Sequence, residues 1–412
     1  MRIVVIGDVG VIDDMVHVGD EAMFDEMVFQ LRKRGVEHIT GISSNPAETR
    51  ERYGIDAVAG IGFRTQTTRA EQQDRMDRVV RTAAGQTGLL AADDSAIAVI
   101  EAIRTSDGVA VSGGGNMAST WPSHIFERGT IGEVARLLGK PLVVSGQTIG
   151  PHLDDPDRAL VTALLSSARL VGLREKPSHA LSLELGVPAA LLTQTVDDAS
   201  FLSEQTPAPT TAVAPYCLVS LSTHVGSENR EEFQQAVADL LDHVVATTGL
   251  DVRFYAHFAS LDPAKSRGDT VMHDAVRARM SSARDTAADG GSPRVATIDE
   301  GDSVAAAQLA RGAALVVSSR YHPAVFAVSG GVPTVGISVD DYTTTKLTGA
   351  LGNFGQHGLV SAAQLVAGGA PAVASAVWSS RDEIRDRGLA IAETNRAASR
   401  LWWDRVAGVF GA

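Results

Sequence analysis

Short apolar runs ending in Gly, Ser or Asn alternate with stretches of helical spacing along most of this chain, and that alternation leaves few folds open. In the first half the runs are Arg2 to Ile6, His38 to Ile42, Gly108 to Val111, Pro141 to Val144, Leu170 to Leu173 and Ala189 to Leu192. Short continuous runs of this kind suit strands buried on both faces of a parallel sheet. Between them, segments such as Glu21 to Arg34, Asp94 to Arg104 and Asp157 to Ser167 repeat apolar residues at helical spacing, which completes a βαβ rhythm. The rhythm stops at Ser203 to Pro215, a proline-rich stretch without apolar periodicity that reads as a linker. It restarts with Leu218 to Leu221, Val252 to Tyr255, Arg294 to Ile298, Ala314 to Val317 and Thr334 to Ile337.

A chain of 412 residues has room for two domains at roughly 100–200 residues each. The expected architecture is α/β, with two doubly wound Rossmann-like domains, residues 1–202 and 216–378, facing a cleft and joined by the linker 203–215. Residues 379–412 are expected to form a long C-terminal helix. Its apolar stripe, Ile384, Ile391, Ala398, Trp402 and Val406, calls for burial, so the helix should pack back towards the first domain.

Charge and cysteine usage narrow the partners. With 49 acidic against 36 basic residues the net charge is −13, which repels polyanions and argues against nucleic acid. The single cysteine, Cys217, permits neither an intramolecular disulfide nor a cysteine-rich zinc site and fits a reducing compartment. The apolar run in MRIVVIGD is too short for a signal peptide, and no stretch is long enough to span a membrane, so a soluble cytoplasmic protein is expected. G-x-x-x-x-G-K-[ST], H-E-x-x-H and G-x-S-x-G are all missing, which disfavours P-loop, zincin and α/β-hydrolase chemistry.

Ligands of open parallel sheets bind beyond the carboxyl ends of the strands, so the polar residues that follow each apolar run carry the functional signal. In His17 to Ala22, HVGDEA, Asp20 is either an ordinary helix cap or a substrate-facing carboxylate. In Asp107 to Met117 a strand runs into Gly113, Gly114 and Gly115, followed by Asn116. Glycines there let an anion approach backbone N–H groups at a helix N-terminus. Gly113, Gly115 and Ala118 also match G-x-G-x-x-A, but the next run ends in Ser145, Gly146 and Gln147 with no acidic residue for a ribose, against a nicotinamide cofactor. Arg174 directly follows a buried run, where its guanidinium either grips a carboxylate or phosphate or pairs with a nearby aspartate. The strongest set is Val316 to Lys346. There Arg320 and His322 combine an anion clamp with a group that exchanges protons near neutral pH, unless the imidazole merely bonds a backbone carbonyl. Lys346 adds a cation.

In order along the chain stand GDEA, SGGGN, GQTIGP, an RE..S..L....G segment, D..F ahead of the linker, and a late RYH followed by GVP. This series resembles the polysaccharide pyruvyl transferase family over roughly Met1 to Gly355. The resemblance implies a transferase that moves pyruvate from phosphoenolpyruvate onto a sugar as a ketal and releases phosphate. It implies a two-domain arrangement like that of GT-B glycosyltransferases, with the acceptor on the N-terminal and the donor on the C-terminal domain. The family's Arg-x-His pair corresponds to Arg320 and His322, and its R[DE]xxS arginine to Arg174. Phosphoenolpyruvate carries a carboxylate and a phosphate, so an acidic protein must concentrate cations, for which Arg174, Arg320 and Lys346 are the candidates, with Gly113, Gly114, Gly115, Asn116 and Gln147 completing the substrate-binding set. His322 would protonate the donor methylene and Asp20 would accept a hydroxyl proton. No step calls for a metal or cofactor, and the acceptor would be a sugar or glycan, free or lipid-linked. The competing readings are a nucleotide-sugar glycosyltransferase and a non-catalytic ligand-binding protein on the same scaffold.

Overall fold

The computed structural model describes residues 1–202, 214–262, 264–285, 293–299 and 301–412. Of the expected linker 203–215, all but Ala214 and Pro215 lies outside the described residues. The chain forms two compact units, one of Met1–Ile12, Met23–Asp198 and Ala397–Ala412, the other of Asp13–Ala22 and Ala199–Arg396.

In order, the strands up to Asp198 are β1 (Arg2–Ile6), β2 (Met15–His17), β3 (His38–Ser43), β4 (Asp56–Ala59), β5 (Gly108–Val111), β6 (Gly114–Met117), β7 (Leu142–Ile149), β8 (Leu170–Leu173) and β9 (Leu192–Gln194). After it come β10 (Tyr216–Ser220), β11 (Asp251–Phe254), β12 (Phe258–Ser260), β13 (Val295–Thr297), β14 (Leu315–Ser318), β15 (Thr334–Ser338) and β16 (Leu359–Ser361). The first unit's sheet runs β4-β3-β1-β5-β7-β8-β9, with β6 also paired to β7, and the second unit's runs β13-β11-β10-β14-β15-β16. All pairs in both sheets are parallel. In each, the strands go outward from the first strand to one side and then cross to the other, the doubly wound pattern. Central strands such as β5, β10, β14 and β15 are buried along their whole length, which is why they read as unbroken apolar runs.

Several elements differ from the periodicity. The run at Pro141 to Val144 continues as strand to Ile149, so Ser145 to Ile149 is buried sheet and not a turn. Ala189–Leu191 is a 3-10 turn leading into β9. The excursion Asp13–Ala22, expected with the first domain, groups with the second unit, because β2 pairs antiparallel with β12, His17 opposite Phe258.

The C-terminal helix spans Arg381–Phe410, and its end from Ala397 belongs to the first unit. Trp402, Trp403, Val406 and Phe410 enter a core with Ile3, Val5, Ala110 and Val143. The Trp402 indole donates to Ser145 Oγ at 2.9 Å and lies on β8 where a Cβ on Gly172 would approach it to 2.7 Å. Only glycine at that position lets the ring seat on the strand.

Candidate active site

In the second unit the strand order reverses between β10 and β14, and the carboxyl ends of these strands mark where a doubly wound sheet binds its ligand. β14 ends at Ser318, whose Oγ accepts the Arg320 N–H at 3.0 Å, and the Ser319 N–H donates to the Ser220 carbonyl at 3.1 Å. Arg320 stays extended and caps the helix Tyr321–Ser329. Pro323 is tolerated in the first turn, where N–H groups lack helical partners anyway. His322 is thereby held at the strand's carboxyl edge.

Arg320 is fixed by Asp269. Its Nε lies 3.0 and 2.9 Å from the two carboxylate oxygens and its Nη2 also donates to Oδ1. Asp269 is fully buried and further accepts the backbone N–H groups of His257 at 3.2 Å and Phe258 at 3.0 Å. The Arg320 side chain keeps 24% of its surface exposed. Asp269 thus occupies the Nε/Nη2 edge of the guanidinium and sets its direction.

The HVGDEA segment meets this group. The Val18 N–H donates to the His257 carbonyl at 3.0 Å, and His17 stacks on Phe258 at 3.9 Å between ring centroids. The Arg320 guanidinium lies 5.7 Å from the same phenyl ring. Asp20 Oδ2 is 3.9 Å from His17 Nδ1. Gly19 packs on His322 so closely that a side chain there would overlap the imidazole. Lys346 Nζ stands 4.8 Å from the Tyr321 ring and 4.6 Å from the Tyr342 ring, and donates to Tyr342 Oη at 3.2 Å. The second unit thus gathers Asp20, Arg320, His322 and Lys346 through shared neighbours.

Two further histidines support the group. His257 Nδ1 lies 3.1 Å from Ser220 Oγ, and His273 Nε2 accepts the Leu221 N–H at 2.9 Å, which places its proton on Nδ1. Burial, then the charges of His322 and Arg320, hold His257 well below the usual imidazole range. Burial, then Arg320, brings His273 down to about 3. Both therefore stay neutral at neutral pH. Sequence reasoning missed Asp269, whose position at the start of a helix reads as a cap. His257 was findable, since it is a polar residue just beyond the run Val252 to Tyr255.

The remaining expected residues lie in the first unit, and their setting corrects the expectation. Arg174 has no exposed surface. Its Nη1 donates to Asp197 at 2.6 Å, and its Nε to Thr148 at 2.8 Å and Glu175 at 3.1 Å. The pairing with a nearby aspartate is thus the arrangement present, and it turns the guanidinium into the protein. Gly113, Gly114 and Gly115 do not open a helix. Gly114–Met117 is β6, with Gly114 opposite Gln147 on β7, and the next helix starts only at Pro122. Gln147 is buried and donates to the Ser112 carbonyl at 2.5 Å, while Asn116 donates to Asp8. Beside Arg174, burial and then the charge of Asp197 push the Asp198 carboxyl up to about 8.

A family model described as polysaccharide pyruvyl transferase matches residues 17–341. No curated protein is a significant match. Among solved structures, the UDP-GlcNAc 2-epimerase from Neisseria meningitidis bound to UDP-GlcNAc is 11% identical with a TM-score of 0.57, over 95% of this chain and 94% of that one. The UDP-GlcNAc 2-epimerase from Methanocaldococcus jannaschii is 12% identical with a TM-score of 0.55, over 89% and 91%. The calicheamicin glycosyltransferase CalG4 is 16% identical with a TM-score of 0.55, over 100% and 98%. At these identities the likeness is one of fold, that of GT-B glycosyltransferases and epimerases. Among the described residues no helix is long and apolar enough to cross a membrane.

Proposed function

The chain belongs to the polysaccharide pyruvyl transferase family, and on that premise we propose that it transfers pyruvate from phosphoenolpyruvate to a pair of hydroxyls on a sugar or glycan, releasing inorganic phosphate. The observation that carries the reading is the Asp269-locked Arg320 beside His322 at the carboxyl end of β14. The donor is an enol ester with two anionic groups. Arg320 binds one of them through the Nη1/Nη2 end of its guanidinium, with Asp269 holding the Nε/Nη2 edge, and Lys346 supplies the second cation.

In the reaction the His322 imidazolium gives its proton to the donor methylene carbon while a sugar hydroxyl attacks the adjacent carbon and passes its proton to Asp20. The carbon–oxygen bond to phosphate then breaks, and phosphate leaves with the Asp20 proton. A second hydroxyl closes the ketal, and its proton returns to His322. Both side chains end as they began. His257 and His273, kept neutral, add no competing proton donor beside His322.

The test is phosphate release from phosphoenolpyruvate with a panel of sugar acceptors, β-galactosides included. Acceptor-dependent phosphate release together with an acceptor mass gain corresponding to ketal formation supports the reading. Release of nucleotide from a nucleotide sugar instead would assign a glycosyltransferase, and ligand binding without turnover a binding protein.

A further inference from the structure

We propose that Tyr321 and Tyr342 are positioning residues, an aromatic clamp that holds the Lys346 ammonium where it takes one anionic group of the ligand. The inference rests on the proposed function only in taking that ligand to be phosphoenolpyruvate.

Two helices of the second unit supply the parts. Helix Asp341–Gly352 carries Tyr342 and Lys346, whose spacing of four residues puts both side chains on one helical face. Its start is fixed by a capping box, in which the Thr343 N–H donates to Asp340 Oδ1 at 2.7 Å and the Thr343 hydroxyl accepts the Asp340 N–H at 3.0 Å. Tyr321 comes from helix Tyr321–Ser329, where it is buried at the first position. The ammonium lies 4.8 Å from the Tyr321 centroid and 4.6 Å from that of Tyr342, inside the reach of about 6 Å for cation–π attraction.

A lysine side chain in water samples many rotamers, and ordering it on binding costs affinity. Two ring faces and the Tyr342 hydroxyl, 3.2 Å from Nζ, restrict that freedom before a ligand arrives. An aromatic face attracts the ammonium without cancelling its charge as a carboxylate would, so the cation stays available to an anion. Tyr321 has a second contact, since its ring stands edge to face with the His322 imidazole at 5.1 Å and 79°. One side chain therefore orders both the cation and the proposed proton donor. The middle residue of RYH thereby acquires a function of its own.

The chain has five lysines, Lys33, Lys140, Lys176, Lys265 and Lys346, so NMR of the full chain carrying a carbon-13 label at lysine Cε reads the clamp directly. Ring currents should move the Lys346 ε-methylene upfield, at a resonance that Lys346→Met removes and Tyr342→Leu returns towards that of a solvated lysine. Tyr342 is partly exposed, so its variants should fold. Calorimetric titration with phosphoenolpyruvate reads the function. Tyr342→Leu should weaken binding about threefold to tenfold, and Tyr342→Phe, which keeps the ring, should lose less. In a Lys346→Met background Tyr342→Leu should cost nothing further, because the coupling runs through the ammonium. An unshifted Lys346 resonance, parental affinity in Tyr342→Leu, or a loss that persists without Lys346 overturns the proposal. The donor reading is tested apart by adding pyruvate and inorganic phosphate to the labelled chain. If phosphoenolpyruvate leaves the Lys346 resonance in place while either of these moves it, the clamp stands and the donor is wrong. If none of the three moves it, the clamp serves no anion and the proposal falls.

Discussion

A Cβ on Gly19 would lie 1.9 Å from Nδ1 of His322, so the backbone at the start of helix Val18–Lys33 and this imidazole touch with nothing between them. The contact gives the glycine of GDEA a physical reason. Gly19→Ala should displace the ring. In a helix alanine is favoured over glycine by about 1 kcal/mol, which offsets part of the steric cost. The melting temperature should therefore move little, while phosphate release falls by about 10²-fold, the lower range for a lost acid–base group. A variant with parental turnover would mean that His322 adapts without loss.

Arg320 separates stability from binding. Arg320→Lys keeps a cation near the buried Asp269 but cannot reproduce the fork, so the fold should hold while donor affinity drops by about 10–100-fold, the value of a charge-assisted bond. Arg320→Ala leaves Asp269 buried without its guanidinium and should cost about 3–5 kcal/mol of stability. Denaturant melts and donor titration check the pair. Equal donor affinity in the lysine variant would remove Arg320 as the clamp.

What the sequence made legible follows from how each element is stabilised. Strands such as β5 and β14 are buried on both faces and so are spelled as apolar runs. β2 and β12 are three residues each and held by pairing with one another, which no local pattern encodes. For the same reason the placement of Asp20 with His322 in one unit was not readable. Arg320 and His322 could be placed at the carboxyl end of β14 because they directly follow a strand. Arg174 follows one too, yet Asp197, Thr148 and Glu175 capture it. Position after a strand locates a side chain at the sheet edge; long-range partners decide which way it faces.

His273 predicts an acid limb. Its imidazole ordinarily titrates near 6.5 and is held at about 3 in the fold. The unfolded chain therefore takes up a proton below about 6.5 that the native state refuses. Its contribution to stability is present above 6.5 and is lost as pH falls towards 3. The same direction applies to His257. His273→Gln should flatten the melting temperature against pH in that window. An unchanged slope would show that other groups set it.

Asp198 has the opposite sign. Its carboxyl, ordinarily near 3.8, is pushed up to about 8, so between these values the native state holds a proton that the unfolded chain has released. Stability from this residue thus declines as pH rises from about 4 to about 8. Asparagine matches the protonated acid in shape and can still accept the Ser145 hydroxyl, now 2.9 Å from Asp198 Oδ1. Asp198→Asn should melt near the parent at pH 5 and above it at pH 8. A variant less stable at both would show that the carboxylate is wanted as an ion.

His322 is the proposed proton donor, and the argument for it is positional before it is chemical. It stands two residues beyond the clamp Arg320, in the first turn of Tyr321–Ser329, against Gly19 and 6.0 Å from the Phe326 ring. A donor anion held by Arg320 would lie beside the imidazole and favour its charged form, making the acid available at neutral pH. General acid–base groups contribute about 10²–10⁴-fold, and His322→Gln should lose that much in single-turnover phosphate release with donor and acceptor saturating. Glutamine retains hydrogen bonding but cannot deliver the proton, so a merely structural histidine would be replaced with little loss in rate. Donor affinity should fall less than the rate, because Arg320 and Lys346 remain. A folded His322→Gln variant that releases phosphate within a fewfold of the parent would reassign His322 to positioning and leave the methylene proton to another group.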